Sequence, residues 1–196
     1  MSSLAETLSA LEAGGLVVIP TDTVYGLACR PDREQAVRGL SALKGRTPEQ
    51  PVALVARSAD ALLELVPELE PAVLVRGAFT LVLPNPARRL PWLTGSRPET
   101  IGVRIPEVDG IAADLIEAAG VVAATSANLH GGADPARVED VPAAILGAVA
   151  AVLDGGGLPG SPSTVVDLTG LEPRVLREGA VSADDALARI ASILAE

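Results

Sequence analysis

The sequence predicts a single α/β domain, α/β with α+β character, in which helices cover a sheet. Three observations carry this. Short apolar runs of strand type alternate with stretches of helical period along all 196 residues. The chain is 48% hydrophobic and only 20% charged, so it can bury a sizeable core. No internal repeat and no low-complexity linker divides it, and residues 1–196 read as one unit without an extra C-terminal domain.

The chain opens with a helix: Ser3 and Glu6 form a capping box, Leu4, Leu8 and Leu11 share a face, and Gly14 stops it. Leu16 to Ile19 reads as a buried strand. Asp32 to Leu43 has helical spacing, Pro51 to Ala56 is a strand-type run, and Ser58 to Val66 is helical again. Further strands are expected at Phe79 to Leu83, Thr100 to Ile105, Val121 to Ala124, Ala151 to Leu153, Thr164 to Val166 and Arg174 to Leu176. Helix-type stretches lie at Ile111 to Ala119 and Val138 to Gly147. A last helix opens at Ser182, with Asp185 as its box partner and Leu187, Ile190 and Leu194 on its apolar face. Pro84 to Pro98 and Gly155 to Pro162 are expected as long loops.

Composition removes several function classes. The only aromatics are Tyr25, Phe79 and Trp92, too few for the stacking platforms of single-strand nucleic-acid binders. Cys29 is the sole cysteine and His130 the sole histidine, so intrachain disulfides and Cys/His zinc sites lack ligands. Cys29 reads as a small core residue, and His130 as a loop residue rather than a base. Lys44, the only lysine, follows Leu43 rather than glycine, so no Walker A loop is present. The first twenty residues do not resemble a signal peptide and no apolar run would span a bilayer; a cytoplasmic setting with no membrane partner is expected. Gly155, Gly157 and Gly160 spell G-x-G-x-x-G, but Pro162 and the β-branched run from Thr164 follow where a dinucleotide site needs a helix.

Three segments carry better signals. In Pro20-Thr21-Asp22-Thr23-Val24-Tyr25-Gly26-Leu27, hydroxyls at alternate positions beside an aspartate can line a polar pocket at a strand end, or simply cap a turn. In Lys44-Gly45-Arg46, two cations can converge on an anion, or complement a helix C-terminus that stops at glycine. Residues 30 to 46 favour the anion: Arg30, Arg33, Arg38, Lys44 and Arg46 stand against only Asp32 and Glu34 in a chain of net charge −10. In Thr125-Ser126-Ala127-Asn128, before Gly131-Gly132, small donors at a strand's C-terminal end suit a ligand, or a helix cap.

In order and spacing, these segments resemble the YrdC-like family, the L-threonylcarbamoyladenylate synthases of tRNA modification. The resemblance runs from the first helix to about Val181. It adds Thr100-Ile101-Gly102-Val103-Arg104-Ile105-Pro106, Ser163-Thr164-Val165-Val166-Asp167 and Val175-Leu176-Arg177-Glu178-Gly179. It implies a mixed, twisted sheet with helices on both faces and a positively lined cleft. It also implies the reaction: L-threonine, bicarbonate and ATP give threonylcarbamoyl-AMP and pyrophosphate, which makes the chain a nucleotidyltransferase. A separate transferase would then act on tRNA.

Threonine's amine captures CO2 as a carbamate, whose oxygen must attack the α-phosphate, so two anions are forced together and fixed cations are required. Lys44, Arg46 and Arg177 are the candidates for the triphosphate, with Mg2+ arriving on ATP and no side-chain metal site. Ser126 and Asn128 would bond ATP or the carbamate, and Thr100 would join the ATP-binding set. Arg104 would clamp the threonine carboxylate, while Thr21, Thr23 and Ser163 would read its amine and hydroxyl. Lys44, Arg46, Ser126 and Asn128 thus form the catalytic group; neither a prosthetic group nor a covalent protein intermediate is expected.

Two departures from the family pattern stand out. Val75-Arg76-Gly77-Ala78-Phe79-Thr80 lacks the usual aromatic and prolines, and Thr47 replaces the proline often found after the K-x-R pair. Two other readings accompany the synthase: a paralogue using a different carbamoyl or nucleotide substrate, and a non-catalytic binder of structured RNA such as tRNA. The RNA reading rests on the island at 30 to 46 and on Arg88, Arg89, Arg97 and Arg104 between Pro84 and Pro106.

Overall fold

The computed structural model describes residues 1–194. Its strands are β1 (Val17–Ile19), β2 (Gly26–Cys29), β3 (Ala53–Ala56), β4 (Phe79–Pro84), β5 (Thr100–Arg104), β6 (Val121–Ser126), β7 (Ala151–Val152), β8 (Thr164–Asp167) and β9 (Arg174–Arg177). They form one nine-stranded mixed sheet in the order β7-β1-β2-β6-β3-β5-β4-β8-β9. Its helices are α1 (Leu4–Glu12), α2 (Glu34–Leu43), α3 (Ala59–Leu65), α4 (Gly110–Ala119), α5 (Ala143–Leu146) and α6 (Ala183–Leu194).

The alternation of side chains along each strand sorts the core into two layers. Leu27, Leu54, Leu81, Val103 and Val166 point to one face and pack with Val37 and Leu40 of α2, Leu62 of α3 and Ile190 of α6. Val17, Ile19, Val55 and Val122 point to the other, under Leu11 of α1 and Leu115 and Ile116 of α4. Each fully buried leucine or isoleucine contributes about 1.5–3 kcal/mol, so both layers hold firmly. The second face is covered by these helices over β7, β1, β2, β6 and the Val55 position of β3. Over β5, β4 and β8 the outward positions Thr80, Val82, Gly102, Arg104 and Val165 are half-buried rather than buried, and together with Gly26, Ala53 and Ala124 they line a cleft.

Most predicted elements stand as read, including the α1 capping box, in which the Ser3 backbone N–H donates to Glu6 at 2.7 Å. Two differ. Val138 to Gly147 is not one helix: a 3-10 turn at Val138–Asp140 and the short α5 flank Pro142, which has no N–H to carry a helix through. Gly26–Cys29, half of it inside the Pro20 to Leu27 motif, is a strand; its four residues are all buried, so the alternation that marks half-buried strands is missing. The 155–163 segment is without regular structure and leads into β8, not into the helix that a dinucleotide motif needs. Among the described residues no helix is long and apolar enough to cross a membrane.

Candidate functional site

The antiparallel pairing of β2 with β6 sets Gly26 against Ser126 and Leu27 against Thr125, which brings the end of the Pro20 to Leu27 motif beside the start of the Thr125 to Asn128 motif. β5 lies parallel to β3 and antiparallel to β4, and β4 parallel to β8, so Arg104, Thr80 and Ser163 approach one another from three strands distant in sequence. The cleft between these groups has a volume of about 380 Å³. Its floor is made of small residues, Gly26, Ala53, Gly102 and Ala124, which lets a bulky group lie close against the backbone. Its rim carries Glu49, Ser96 and Arg97 at one end and Pro162, Ser163 and Arg177 at the other.

Three arginines converge on this space. Arg46 donates to Gln50 Oε1, Thr125 Oγ1 and the Pro51 carbonyl, each at 3.2 Å. Arg177 donates to the Ser163 carbonyl at 2.7 Å, and Ser163 Oγ in turn lies 2.8 Å from Thr80 Oγ1. Among the described residues neither Arg46 nor Arg177 forms an ion pair. Burial holds Arg46 below the usual guanidinium range, and repulsion from Arg177 adds to this. Arg104 is depressed chiefly by burial and also by Arg177, against the opposing pull of Asp22. Cations that repel one another across one cleft form an anion site.

Arg104 makes one ion pair, with Asp22, and also donates to Thr23 Oγ1 at 2.9 Å. Thr21 Oγ1 gives its only proton to the Val24 carbonyl at 2.7 Å, so the 3.1 Å contact between the two threonines has Thr23 donating. Both hydroxyls therefore spend their protons within the loop: the turn-capping reading and the pocket reading hold together, and Thr23 supports Arg104 from behind. Thr100 lines the cleft, with its hydroxyl turned to the Arg97 carbonyl at 3.0 Å.

Lys44 is buried at the C-terminal end of α2. Its ammonium donates to the Ser126 carbonyl, to the Asn128 carbonyl at 2.7 Å and to Asn128 Oδ1 at 2.8 Å. Ser126 Oγ also donates to Asn128 Oδ1, at 2.7 Å, and Asn128 Nδ2 donates to the Gly132 carbonyl at 2.6 Å. Burial lowers the Lys44 pKa to about 8, helped by Arg46 and opposed by Asp134. Of the ten candidate residues, seven line the cleft (Thr21, Arg46, Thr100, Arg104, Ser126, Ser163 and Arg177), while Thr23, Lys44 and Asn128 stand one layer behind it. The sequence reading named Asp22 and Thr125 only as members of their segments, without a partner, and gave Thr80 no role; outward alternation along β4 is the signal for Thr80.

The basic islands are largely neutralised in the fold. Arg38 pairs with Glu34 at 2.7 Å, Arg89 with Glu68 at 2.6 Å and Arg97 with Asp167 at 2.9 Å, so they offer little uncompensated charge to RNA. His130 is exposed in a turn, and Cys29 is buried with its thiol pushed up to about 12 by burial and, less, by Asp32. Among the described residues no group of three or more His, Cys, Asp or Glu side chains stands where it could hold a metal ion.

Comparison with known proteins places the chain in one family. Residues 9–179 match the Sua5/YciO/YrdC family profile, described as "Telomere recombination". A Mycobacterium tuberculosis protein provisionally named threonylcarbamoyl-AMP synthase is 36% identical over 198 residues, 97% of this chain and 88% of the relative. The threonylcarbamoyl-AMP synthase of Stenotrophomonas maltophilia is 36% identical over 186 residues, 89% of this chain and 97% of the relative. The crystal structure of Pyrococcus abyssi Sua5 complexed with L-threonine superposes with a TM-score of 0.85 at 32% identity, covering 98% of this chain and 57% of that one.

Proposed function

The chain belongs to the Sua5/YciO/YrdC family, and from that membership and its cleft we propose that it is a threonylcarbamoyl-AMP synthase, an enzyme that transfers the adenylyl group of ATP to the carbamate of L-threonine. The observation that carries this reading is the convergence of Arg46, Arg104 and Arg177 on one small-floored cleft in an otherwise acidic chain.

ATP and threonine are the substrates, with bicarbonate as the source of the carbamate carbon. The threonine nitrogen attacks CO2 and loses a proton, a carbamate oxygen attacks the α-phosphorus, the bond to the bridging β-oxygen breaks, and pyrophosphate leaves. No protein atom needs to be a nucleophile; the protein positions and neutralises. Arg46 and Arg177 face the phosphates, Arg104 the threonine carboxylate, and Ser126 with Thr100 the nucleotide beside the small floor. The Thr80–Ser163 hydroxyl pair stands beside Arg177, where it can meet the amino-acid substrate. Lys44 and Asn128 act from behind by holding the Ser126 turn, and Thr21 and Thr23 by supporting Arg104. Mg2+ would arrive on ATP, its charge offsetting the triphosphate; Glu49 is the carboxylate on the cleft rim.

Residues 1–196 serve as one synthase unit in the cytoplasm, without a prosthetic group. The labile mixed anhydride passes to a separate transferase that modifies tRNA, and the synthase itself meets tRNA at most transiently. Purified protein supplied with ATP, Mg2+, bicarbonate and threonine should release pyrophosphate in a threonine-dependent manner. Pyrophosphate release that threonine does not stimulate would overturn the assignment.

A further inference from the structure

Asp22 supplies neither a cation nor a hydroxyl, yet it is buried within the cation cluster, with a side chain only 8% exposed. A carboxylate taken out of water is costly unless every lone pair is used. Both of its oxygens are: Oδ1 accepts from Arg104 Nη2, and Oδ2 accepts from the Glu107 backbone N–H at 3.0 Å. Asp22 therefore cross-links the loop after β1 to the segment after β5. It occupies one edge of the Arg104 guanidinium together with Thr23. The same guanidinium keeps a buried Nε that has no hydrogen-bond partner among the described residues.

This arrangement divides the cleft by charge. The Arg104–Asp22 pair is formally neutral but still has donors to give, which suits a single carboxylate. Arg46 and Arg177 donate only to neutral oxygens, which suits a polyphosphate. We propose that Asp22 is the residue that makes this partition: it holds Arg104 in the pose that reads an amino-acid carboxylate, and its charge keeps polyphosphate off that guanidinium and on Arg46 and Arg177. The carboxylate half of the inference rests on the synthase reading; the polyphosphate half does not.

Asp22→Asn is the discriminating variant, because an amide has one accepting oxygen and cannot serve both Arg104 and the Glu107 N–H. Threonine and pyrophosphate binding are measured by calorimetry, each alone and each in the presence of the other. The wild type is expected to bind one pyrophosphate and to bind threonine alongside it. In Asp22→Asn, threonine affinity should fall about tenfold or more, and pyrophosphate should displace threonine or bind a second time. A folded variant with unchanged threonine affinity and unchanged pyrophosphate stoichiometry overturns the proposal. If the variant does not fold, the wild type still decides: mutual exclusion of threonine and pyrophosphate there means that the cleft is not partitioned. A wild type that binds pyrophosphate but no threonine sinks the synthase reading instead, and the stoichiometry change in Asp22→Asn then judges the charge partition by itself.

Discussion

Lys44 and Asn128 are joined twice, the ammonium donating to the Asn128 carbonyl at 2.7 Å and to its side-chain Oδ1 at 2.8 Å. With the third N–H directed to the Ser126 carbonyl, this lysine has no proton left for a ligand. Its work is to fold the Ser126–Asn128 turn against the end of α2. Replacing it by methionine takes the ammonium from the Ser126 and Asn128 carbonyls, at a cost of about 1–3 kcal/mol each where water cannot reach them, and leaves Asn128 Oδ1 with Ser126 Oγ alone. Lys44→Met should therefore lose both stability and pyrophosphate release, measured by urea denaturation and by turnover. An active Lys44→Met variant of normal stability would show that the turn holds itself.

The same lysine gives a pH signature. Its folded pKa, about 8, lies below its ordinary 10.5, so between these values the unfolded chain binds more protons than the folded one. The contribution of this group to stability accordingly rises as pH rises through that window. Activity should move the other way, because a neutral amine has two N–H groups for three oxygens and holds the turn loosely. The expected result is a rate that falls as pH rises through about 8 without a matching fall in melting temperature. Lys44→Arg, which stays charged, should lack that limb.

Arg46 and Arg177 make the opposite kind of prediction. Each is held in place by neutral oxygens and each suffers the other's charge, so removing one relieves repulsion. Arg177→Ala should melt within about 0.5 kcal/mol of the wild type, as surface changes away from special features usually do. Its KM for ATP should rise by about tenfold or more, the worth of a charge-assisted contact to phosphate. Thermal melting alongside steady-state kinetics reads both. A large loss of stability with an unchanged KM would mean that Arg177 is structural.

Tyr25 shows how much of this site is legible in the sequence, and where legibility stops. The motif containing it stands out by its polar residues at a strand end, but its hydroxyl works far down the chain: its single proton lies between Asp154 Oδ1 at 2.9 Å and the Gly156 carbonyl at 2.8 Å, and its oxygen accepts from the Gly155 N–H at 2.9 Å. The same limit hides Asp22 and Arg104, 82 residues apart, and Lys44 and Asn128, 84 apart. Periodicity reports which face of an element is buried, and so recovers α1, α4 and β4 to within a residue or two. It carries no record of which strands become neighbours. It also fails where local chemistry is ambiguous, as in the fully buried β2, or where one proline splits a helical pattern, as at Pro142.

Tyr25→Phe tests that long-range contact. The ring is buried and should pack unchanged, while the Gly155 N–H loses its acceptor and the proton shared by Asp154 and the Gly156 carbonyl is gone, leaving Asp154 Oδ1 with the Gly156 N–H at 2.8 Å. Burial pushes the phenol up to about 12, with Asp154 adding to the shift, so the hydroxyl stays protonated throughout the working range and its loss cannot be mimicked by pH. Amide hydrogen exchange in 155–162 should accelerate markedly, with a global cost of about 1–2 kcal/mol. Exchange rates equal to the wild type would place the anchor of this loop elsewhere, at the Gly160 N–H to Thr23 carbonyl bond of 2.8 Å.

The floor of the cleft can be tested by filling it. A Cβ on Gly102 would meet Ala53 Cβ at 3.5 Å and Thr80 Cγ2 at 3.8 Å, which is ordinary contact, so Gly102→Ala should fold normally. Without a glycine's backbone entropy to lose, it should gain up to about 1 kcal/mol, provided the extended backbone tolerates it as the contacts indicate. Gly102→Leu projects three further carbons into the cleft rather than into the core, because outward positions of β5 face the open half of the sheet. It should remain folded while its KM for ATP rises by about tenfold or more. A leucine variant that melts like the wild type and turns over like it would remove the nucleotide from this floor. One that melts early would show that the outward face of β5 is core after all.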